Sequence, residues 1–442
     1  MIKILRNIKK FFITLRNKHR FDSYIIWSML ILILIGIITQ STTADQDTFQ
    51  KHLLYLFLGI PVFYLGYKFP LPLLKNFSWL IYLLSIGFLL WVNIYGSEAL
   101  GAQRWIRIGG FSMQPSEIAK IASIIMLSTW FSARPIKKFT DMIIGGLLIS
   151  FIPFVLIFIQ PDLGTSLVLI AIFAVISFWS GATSFQLFLL FSPLLIMLLS
   201  VIGHENLNLG SFSVLNKEIK MTCSYLGLFS IAIISAFVFY KLNLNKKKYG
   251  ILFLILFTSF SLFLAFLARP LAWNILKDYQ QTRLIIFLNP EQDSQGAGYN
   301  IIQSLLAVGS GRLLGQGYKH GPLTQGDFVP EQHTDFAFSS IGEEWGLIGC
   351  TIVLICFMII CIRLLSLTAR SNDSFERLLL SGIFALIFFH FSVNISMNIG
   401  LLPVIGVPLP FISYGGTAIW ICLFLMGISQ NIFSKNRVQA YY

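Results

Sequence analysis

RLIIFLNPEQDSQGAGYNIIQSLLAVGSGRLLGQGYKHGPLTQGDFVPEQHTDFAFSSIGEE, residues 283–344, is the longest polar, glycine-punctuated stretch in a chain that otherwise runs from one apolar segment to the next. A segment of that size within a compact chain is either disordered or functional. This one keeps Phe287, Tyr299, Ile301, Ile302, Leu305, Leu306, Phe328, Phe336 and Phe338, enough apolar surface to fold down onto a support. It is read as an ordered cap.

Composition says what lies beneath the cap. Of 442 residues, 56% are hydrophobic and 15% aromatic while only 12% are charged, a balance that no soluble domain of this size can present to water. Apolar runs long enough to cross a bilayer, which takes about 20 residues, fall near 24–40, 53–67, 77–95, 115–131, 142–159, 163–179, 185–202, 223–240, 251–267, 345–362, 378–395 and 416–433. The expected fold is an all-α polytopic membrane protein of about 12 transmembrane helices, capped by a large, partly helical extracellular loop. The first run follows a basic arm, is long, and is not followed by a small-residue cleavage site, so it is read as a helix that stays. The layout is then a basic cytoplasmic arm at 1–23, helices one to nine over 24–267, the extracellular loop at 268–344, helices ten to twelve over 345–433 and a cytoplasmic tail at 434–442.

A net charge of +13 raises nucleic acid as a partner, and the placement of that charge decides against it. With the N-terminus inside, 21 of the 32 lysines and arginines fall in inner segments, among them the arm before Phe21, Arg134 to Lys138, and Lys241 to Lys248. This is the positive-inside pattern of a cytoplasmic membrane protein with both termini in the cytoplasm. Cys223, Cys350, Cys356, Cys361 and Cys422 sit in apolar runs without zinc or disulfide spacing. The six histidines, His320, His333 and His390 among them, form no ligand cluster, and no residue is assigned to a metal.

The second outer loop, GSEALGAQRWIRIGGFSMQPS at 96–116, places Arg104 and Arg107 around Trp105, a spacing that suits an interfacial hairpin. Pro115 opens the next helix, and Glu117 and Lys120 stand three apart on one of its faces. They are an ion pair masking two charges, or ionisable groups marking a substrate path; the residues alone leave both open. In QPDLGT at 160–165, Asp162 suits a helix cap at least as well as catalysis. GSGRLLG at 309–315 lacks the spacing and the lysine of a phosphate loop, although its glycines could form a backbone nest for a phosphate. Ser340 and Glu343 have capping-box spacing just before the apolar run at Trp345. Asp293, in the polar NPEQDSQG segment, reads by itself as a turn residue.

Taken together, GAQRW at 101–105, QPSEIAK at 114–120, QPDLGT, the D-x-x-GAGYN run at 293–300, GSG, VPEQHTDFAF from Val329, GEEWG and GVPLPFISYGG at 406–416 resemble the SEDS family (shape, elongation, division, sporulation). The motifs recur in family order over nearly the whole chain, and GVPLPF is more similar to the elongation (RodA) branch than to the division (FtsW) branch. The resemblance implies a peptidoglycan glycosyltransferase that polymerises lipid II into glycan strands on the outer face of the cytoplasmic membrane during elongation, releasing undecaprenyl pyrophosphate. It implies Asp293 as the catalytic acidic residue and Arg104, Glu117, Lys120, Arg283, Gln303 and Lys319 as substrate-binding residues. A class B penicillin-binding transpeptidase and the elongation (Rod) complex are the implied partners, and a divalent cation, Mg or Mn, is compatible with it. The family core of ten helices leaves one extra pair, expected between 185 and 267.

The chain departs from the family pattern at Asn289, where aspartate is frequent, at Ser294, where proline is usual, and at Gln316, which replaces a lysine. Lys319 is the candidate to restore that charge. A lipid II flippase or transporter, and a non-enzymatic scaffold of a cell-wall complex, are the competing readings. The flippase needs buried charges across the whole bilayer, whereas the acids here lie mostly in outer segments; the scaffold gives Asp293, Arg104 and Lys120 no joint role.

Overall fold

The computed structural model describes residues 21–99, 102–108, 111–160, 162–188, 190–191, 208–214, 217–222, 282–283, 286–287, 290 and 297–439. The chain divides into two compact units, one of residues 1–181 with 303–442 and one of residues 182–302. In the first, helices follow the apolar runs: α1 (Ser23–Thr43), α2 (Gln46–Lys68), a short α3 (Leu71–Asn76), α4 (Ser78–Tyr95), α5 (Pro115–Ala133), α6 (Leu148–Ile159) and α7 (Leu163–Trp179). After α8 (Ala297–Ser310), which runs across the boundary between the units, come α9 (Pro322–Gln325), α10 (Ala337–Arg370), α11 (Ser374–Asn398) and α12 (Gly416–Gln439).

Among the described residues, five helices are long and apolar enough to span a membrane, or six if a pair bent by 47° at Phe139–Gly146 and Leu148–Ile159 is one span. The runs expected near 223–240 and 251–267, and most of that near 185–202, lie outside the described residues. The helical expectation holds, and two small antiparallel sheets add to it. The Arg104 hairpin is a three-stranded sheet of β1 (Ser97–Ala99), β2 (Ala102–Ile108) and β3 (Phe111–Met113), with Arg107 opposite Ser112. In the second unit, β4 (Asn208–Val214) pairs with β5 (Lys217–Thr222).

Small residues set how closely the helices approach. A Cβ on Gly59 or Gly66 of α2 would stand 2.4 Å from Leu423 Cδ1 or 2.3 Å from the Phe424 carbonyl of α12, and one on Gly427 would stand 2.2 Å from the Phe63 carbonyl. The two helices therefore meet almost backbone to backbone, the contact that small residues permit in membranes. Before α6, a π-helical turn at Met142–Leu147 presents Gly145 to Trp130 and Gly146 to Phe173, with no room for a Cβ at either. At the same end, the Asp141 carboxylate accepts from the backbone amides of Lys137 (3.1 Å) and Lys138 (2.8 Å).

The cap is fixed at a break in α10, where Gly346 has φ 64°. There the helical ladder is interrupted, and the loop after α8 takes over its hydrogen bonds. The Leu347 and Ile348 amides donate to the carbonyls of Arg312 and Leu313, and the amides of Gln316 and Gly317 donate to those of Glu343 and Glu344. A Cβ on Gly311 would fall 1.9 Å from the Gly342 carbonyl, and one on Gly315 2.2 Å from that of Glu344. The glycines of GSGRLLG thus serve close approach to α10, and the Gly315 amide of the possible phosphate nest donates to the Gly311 carbonyl.

The capping-box expectation is also corrected. Helix α10 begins at Ala337, before Trp345, so Ser340 and Glu343 are already inside it. The Ser340 hydroxyl has no hydrogen-bond partner. Glu343 instead accepts from the amides of Leu323 and Thr324 and from the Thr324 hydroxyl, closing the first turn of α9. Beneath it, Ala307, Val329 and Phe336 form a small core with Leu323 and Val404.

A second irregular segment, 399–415, dips between the helices. Val407, Leu409, Phe411, Ile412 and Ser413 are all buried. Gly36 of α1 and Gly164 of α7 make room, since a Cβ there would lie 2.8 Å from the Phe411 carbonyl and 2.6 Å from that of Ile405. Non-helical backbone at such depth requires internal hydrogen bonds. Asn394 Nδ2 donates to Val407 O (2.7 Å), Gln40 Nε2 to Ile412 O (3.2 Å), and the Leu409 amide to Ser413 Oγ (2.9 Å).

Candidate active site

The first turn of α5 carries Pro115 and Glu117, and the ammonium of Lys120, one turn further, lies 2.6 Å from Glu117 Oε1. Their side chains are 5% and 1% exposed, so both charges are taken out of solvent. The Lys120 ammonium also lies 3.0 Å from Nε2 of His390, on α11. The void lined by Glu117, His390, Pro408, Ser413 and Cys422 measures only about 10 Å³. That is room for about one water.

Around the pair, QPDLGT works as a hub. Asp162 caps α7, accepting from the Thr165 amide (3.2 Å) and hydroxyl (2.9 Å), and it also accepts from Gln114 Nε2 (3.1 Å) at the end of the sheet. Arg104 Nε donates to the Gln160 carbonyl (3.0 Å), and Gln160 Nε2 donates to Leu89 O on α4 (3.2 Å). The sheet bearing Arg104 is thereby held over the starts of α5 and α7, at the end where Glu117 sits. Against it runs an apolar groove of about 880 Å³, lined by Leu84, Phe88 and Trp91 of α4 and by Trp105, Ile106 and Met113 of the sheet.

The residues expected to act with this pair are placed as follows. Gln303 is on α8, and its Oε1 is buried without a hydrogen-bond partner. Lys319 is exposed at φ 58°, its amide donating to Glu344 Oε1 (3.2 Å) and its ammonium 5.5 Å from the centroid of the Tyr318 ring. Gln316 folds back, donating from Nε2 to the Ser310 carbonyl at 2.6 Å. Arg283 is half-buried in the second unit. Asp293 lies outside the described residues. No group of three or more His, Cys, Asp or Glu side chains among the described residues could hold a metal ion.

Sequence reasoning missed the polar side chains of α11. Asn394 and Asn398, one turn apart, both donate from Nδ2 to the Asp335 carbonyl (2.9 and 3.0 Å), and Asn398 Oδ1 accepts from the Ser339 amide (3.1 Å). The Ser304 hydroxyl donates to the Asn398 carbonyl (2.8 Å). One helix thus ties together the VPEQHTDF stretch, the buried loop and the start of the cap. The available signal was three polar residues, His390, Asn394 and Asn398, on one face of an apolar run.

The sequence profile of the FtsW/RodA/SpoVE cell cycle protein family matches residues 19–209 and 224–438. The peptidoglycan glycosyltransferase RodA of Treponema pallidum is 32% identical over 443 residues, covering 95% of this chain and 99% of its own. The peptidoglycan glycosyltransferase MrdB of Escherichia coli is 30% identical, covering 96% of each. Two solved chains share the fold. One comes from a peptidoglycan synthase complex that coordinates polymerization and crosslinking, with TM-score 0.67 and 24% identity over 95% of this chain and 99% of that one. The other is the rod shape determining protein RodA of Thermus thermophilus, with TM-score 0.58 and 20% identity over 95% and 99%.

Proposed function

Because the chain belongs to the FtsW/RodA/SpoVE family of cell cycle proteins, we infer that it is a peptidoglycan glycosyltransferase that lengthens glycan strands during cell elongation. The observation that carries this reading is the enclosed Glu117–Lys120 pair set beneath the Arg104 sheet and beside an apolar groove. A lipid-linked sugar has this composition, an apolar tail joined to an anionic pyrophosphate and a polar head. The substrate we assign is lipid II, its polyprenyl chain lying in the groove between α4 and the sheet.

The reaction joins a sugar hydroxyl of one chain to the anomeric carbon of another, while the bond from that carbon to the polyprenyl pyrophosphate breaks. Asp293 is assigned as the base that takes the hydroxyl proton. The charge that develops on the departing pyrophosphate calls for fixed cations, the role assigned to Arg104, Lys120, Arg283 and Lys319. Gln303, with a buried acceptor atom unengaged, is assigned to a polar group of the sugar. Among the described residues there is no cluster of three or more His, Cys, Asp or Glu side chains, so a divalent cation, Mg or Mn, would be held chiefly by the pyrophosphate oxygens with one or two carboxylates.

The cap faces the outside of the cytoplasmic membrane and both termini face the cytoplasm, a placement supported by the distribution of lysine and arginine. A class B penicillin-binding transpeptidase within the elongation machinery is the assigned partner. The test is strand formation from purified lipid II by the reconstituted protein with that partner. Polymer resolved by length supports the reading; lipid II that merely changes leaflet, with no strands made, rejects it.

A further inference from the structure

The Glu117–Lys120 pair has a third member for which no role has been assigned. His390 projects from α11 with Nε2 3.0 Å from the Lys120 ammonium and Nδ1 3.4 Å from the Pro408 carbonyl of the buried loop. An ammonium can only donate, so Nε2 must present its lone pair and the ring must be neutral with its proton on Nδ1. That proton points at Pro408 O, the group that fixes the tautomer. Glu117 Oε1 takes a second Lys120 proton at 2.6 Å. Two acceptors on two helices therefore set the direction of the third N–H of an ammonium whose side chain is only 1% exposed.

We propose that His390 is a positioning residue of the glycosyl transfer, acting through Lys120: its Nε2 aims the ammonium at the anionic leaving group. The proposal rests on the glycosyltransferase reading above. A single-helix pair such as Glu117 and Lys120 cannot by itself fix the ammonium relative to neighbouring helices, because both groups move with α5. His390 supplies that second reference. Gly382 keeps it in place by bringing α11 against α5, where a Cβ would stand 2.7 Å from Ile124 Cγ2. The alternative is that His390 merely satisfies the Pro408 carbonyl and supports the buried loop.

Reach separates the two roles. Gln at 390 can carry an amide oxygen to Lys120, whereas Asn, one methylene shorter, presents the same group too far away, and Leu presents none. Initial rates on purified lipid II, with the transpeptidase partner present, are to be measured for His390→Gln, His390→Asn and His390→Leu alongside thermal unfolding midpoints. Gln should keep kcat within about threefold of wild type, while Asn and Leu lose about 10- to 100-fold in kcat, the effect of one misplaced charged hydrogen bond. KM should stay within about twofold in all three, since a transition-state interaction is what is lost. Should Leu fail to fold, the Gln and Asn pair carries the test. Asn matching Gln, Leu matching wild type, or activity falling only in step with thermal stability overturns the proposal. A wild type that makes no strands instead overturns the reading on which it rests.

Discussion

The two ends of the larger unit both carry buried ion pairs, built in different ways. At the end opposite the cap, Asp22 at the start of α1 pairs with Arg363 of α10, and Glu376 of α11 pairs with Lys435 of α12. Each joins two helices, and each keeps its cation partly in solvent, with Arg363 27% and Lys435 42% exposed. At the cap end, Glu117 and Lys120 lie on the same helix, and Lys120 is only 1% exposed. Clasps between helices have an evident structural use. A fully enclosed pair within one helix costs desolvation, and it reaches a second helix only by way of Lys120 and the neutral His390 rather than by the ion pair itself, so its retention points to chemistry.

The comparison is most exposed at Glu117 and Lys120. Replacing both together, Glu117→Gln with Lys120→Met, should leave thermal stability near wild type, since removing a buried pair whole is often neutral. Strand synthesis should nevertheless fall by about 100-fold or more, the scale of a lost transition-state contact. An active double variant would put this pair in the same class as the clasps.

At the other end the expected order is reversed. Arg363→Met leaves Asp22 buried and unpaired and should cost about 3 kcal/mol of stability, while the folded fraction keeps its specific activity. Denaturant or thermal unfolding in detergent, set against rate per folded molecule, measures both. Lys435→Met should cost a similar amount, about 3 kcal/mol, because it leaves Glu376, only 1% exposed, buried without its cation. A large activity loss in either variant would erase the distinction between the ends.

Which end faces outward is accessible with no change in stability. A cysteine at Leu314, 77% exposed in the cap loop, should react with an impermeant thiol reagent applied to intact cells. One at Asn372, exposed between α10 and α11, should react only after lysis. The reverse pattern would place the cap, and the proposed chemistry, in the cytoplasm.

The helices were legible because a bilayer demands apolar runs, and the Glu117–Lys120 pair because a spacing of three along a helix is a local fact. Asp162 was legible as a cap for the same reason. The failures share a cause. Ser340 and Glu343 match a local box, yet Glu343 is engaged with Leu323 and Thr324, about twenty residues earlier in the chain. The GSGRLLG glycines resemble an anion nest, but they answer to the carbonyls of Gly342 and Glu344 across the kink. His390 was seen as a lone histidine, since its partner lies 270 residues away. Local patterns predict local bonds; the site is assembled from distant ones.

The central claim, that the cap end polymerises a lipid-linked sugar, turns most directly on Asp293. Asp293→Asn should insert and fold as wild type does, because the amide is nearly isosteric. It should make no glycan strands from purified lipid II with the transpeptidase partner present, because the amide cannot accept the proton. Strand synthesis by this variant at a substantial fraction of the wild-type rate would contradict the account.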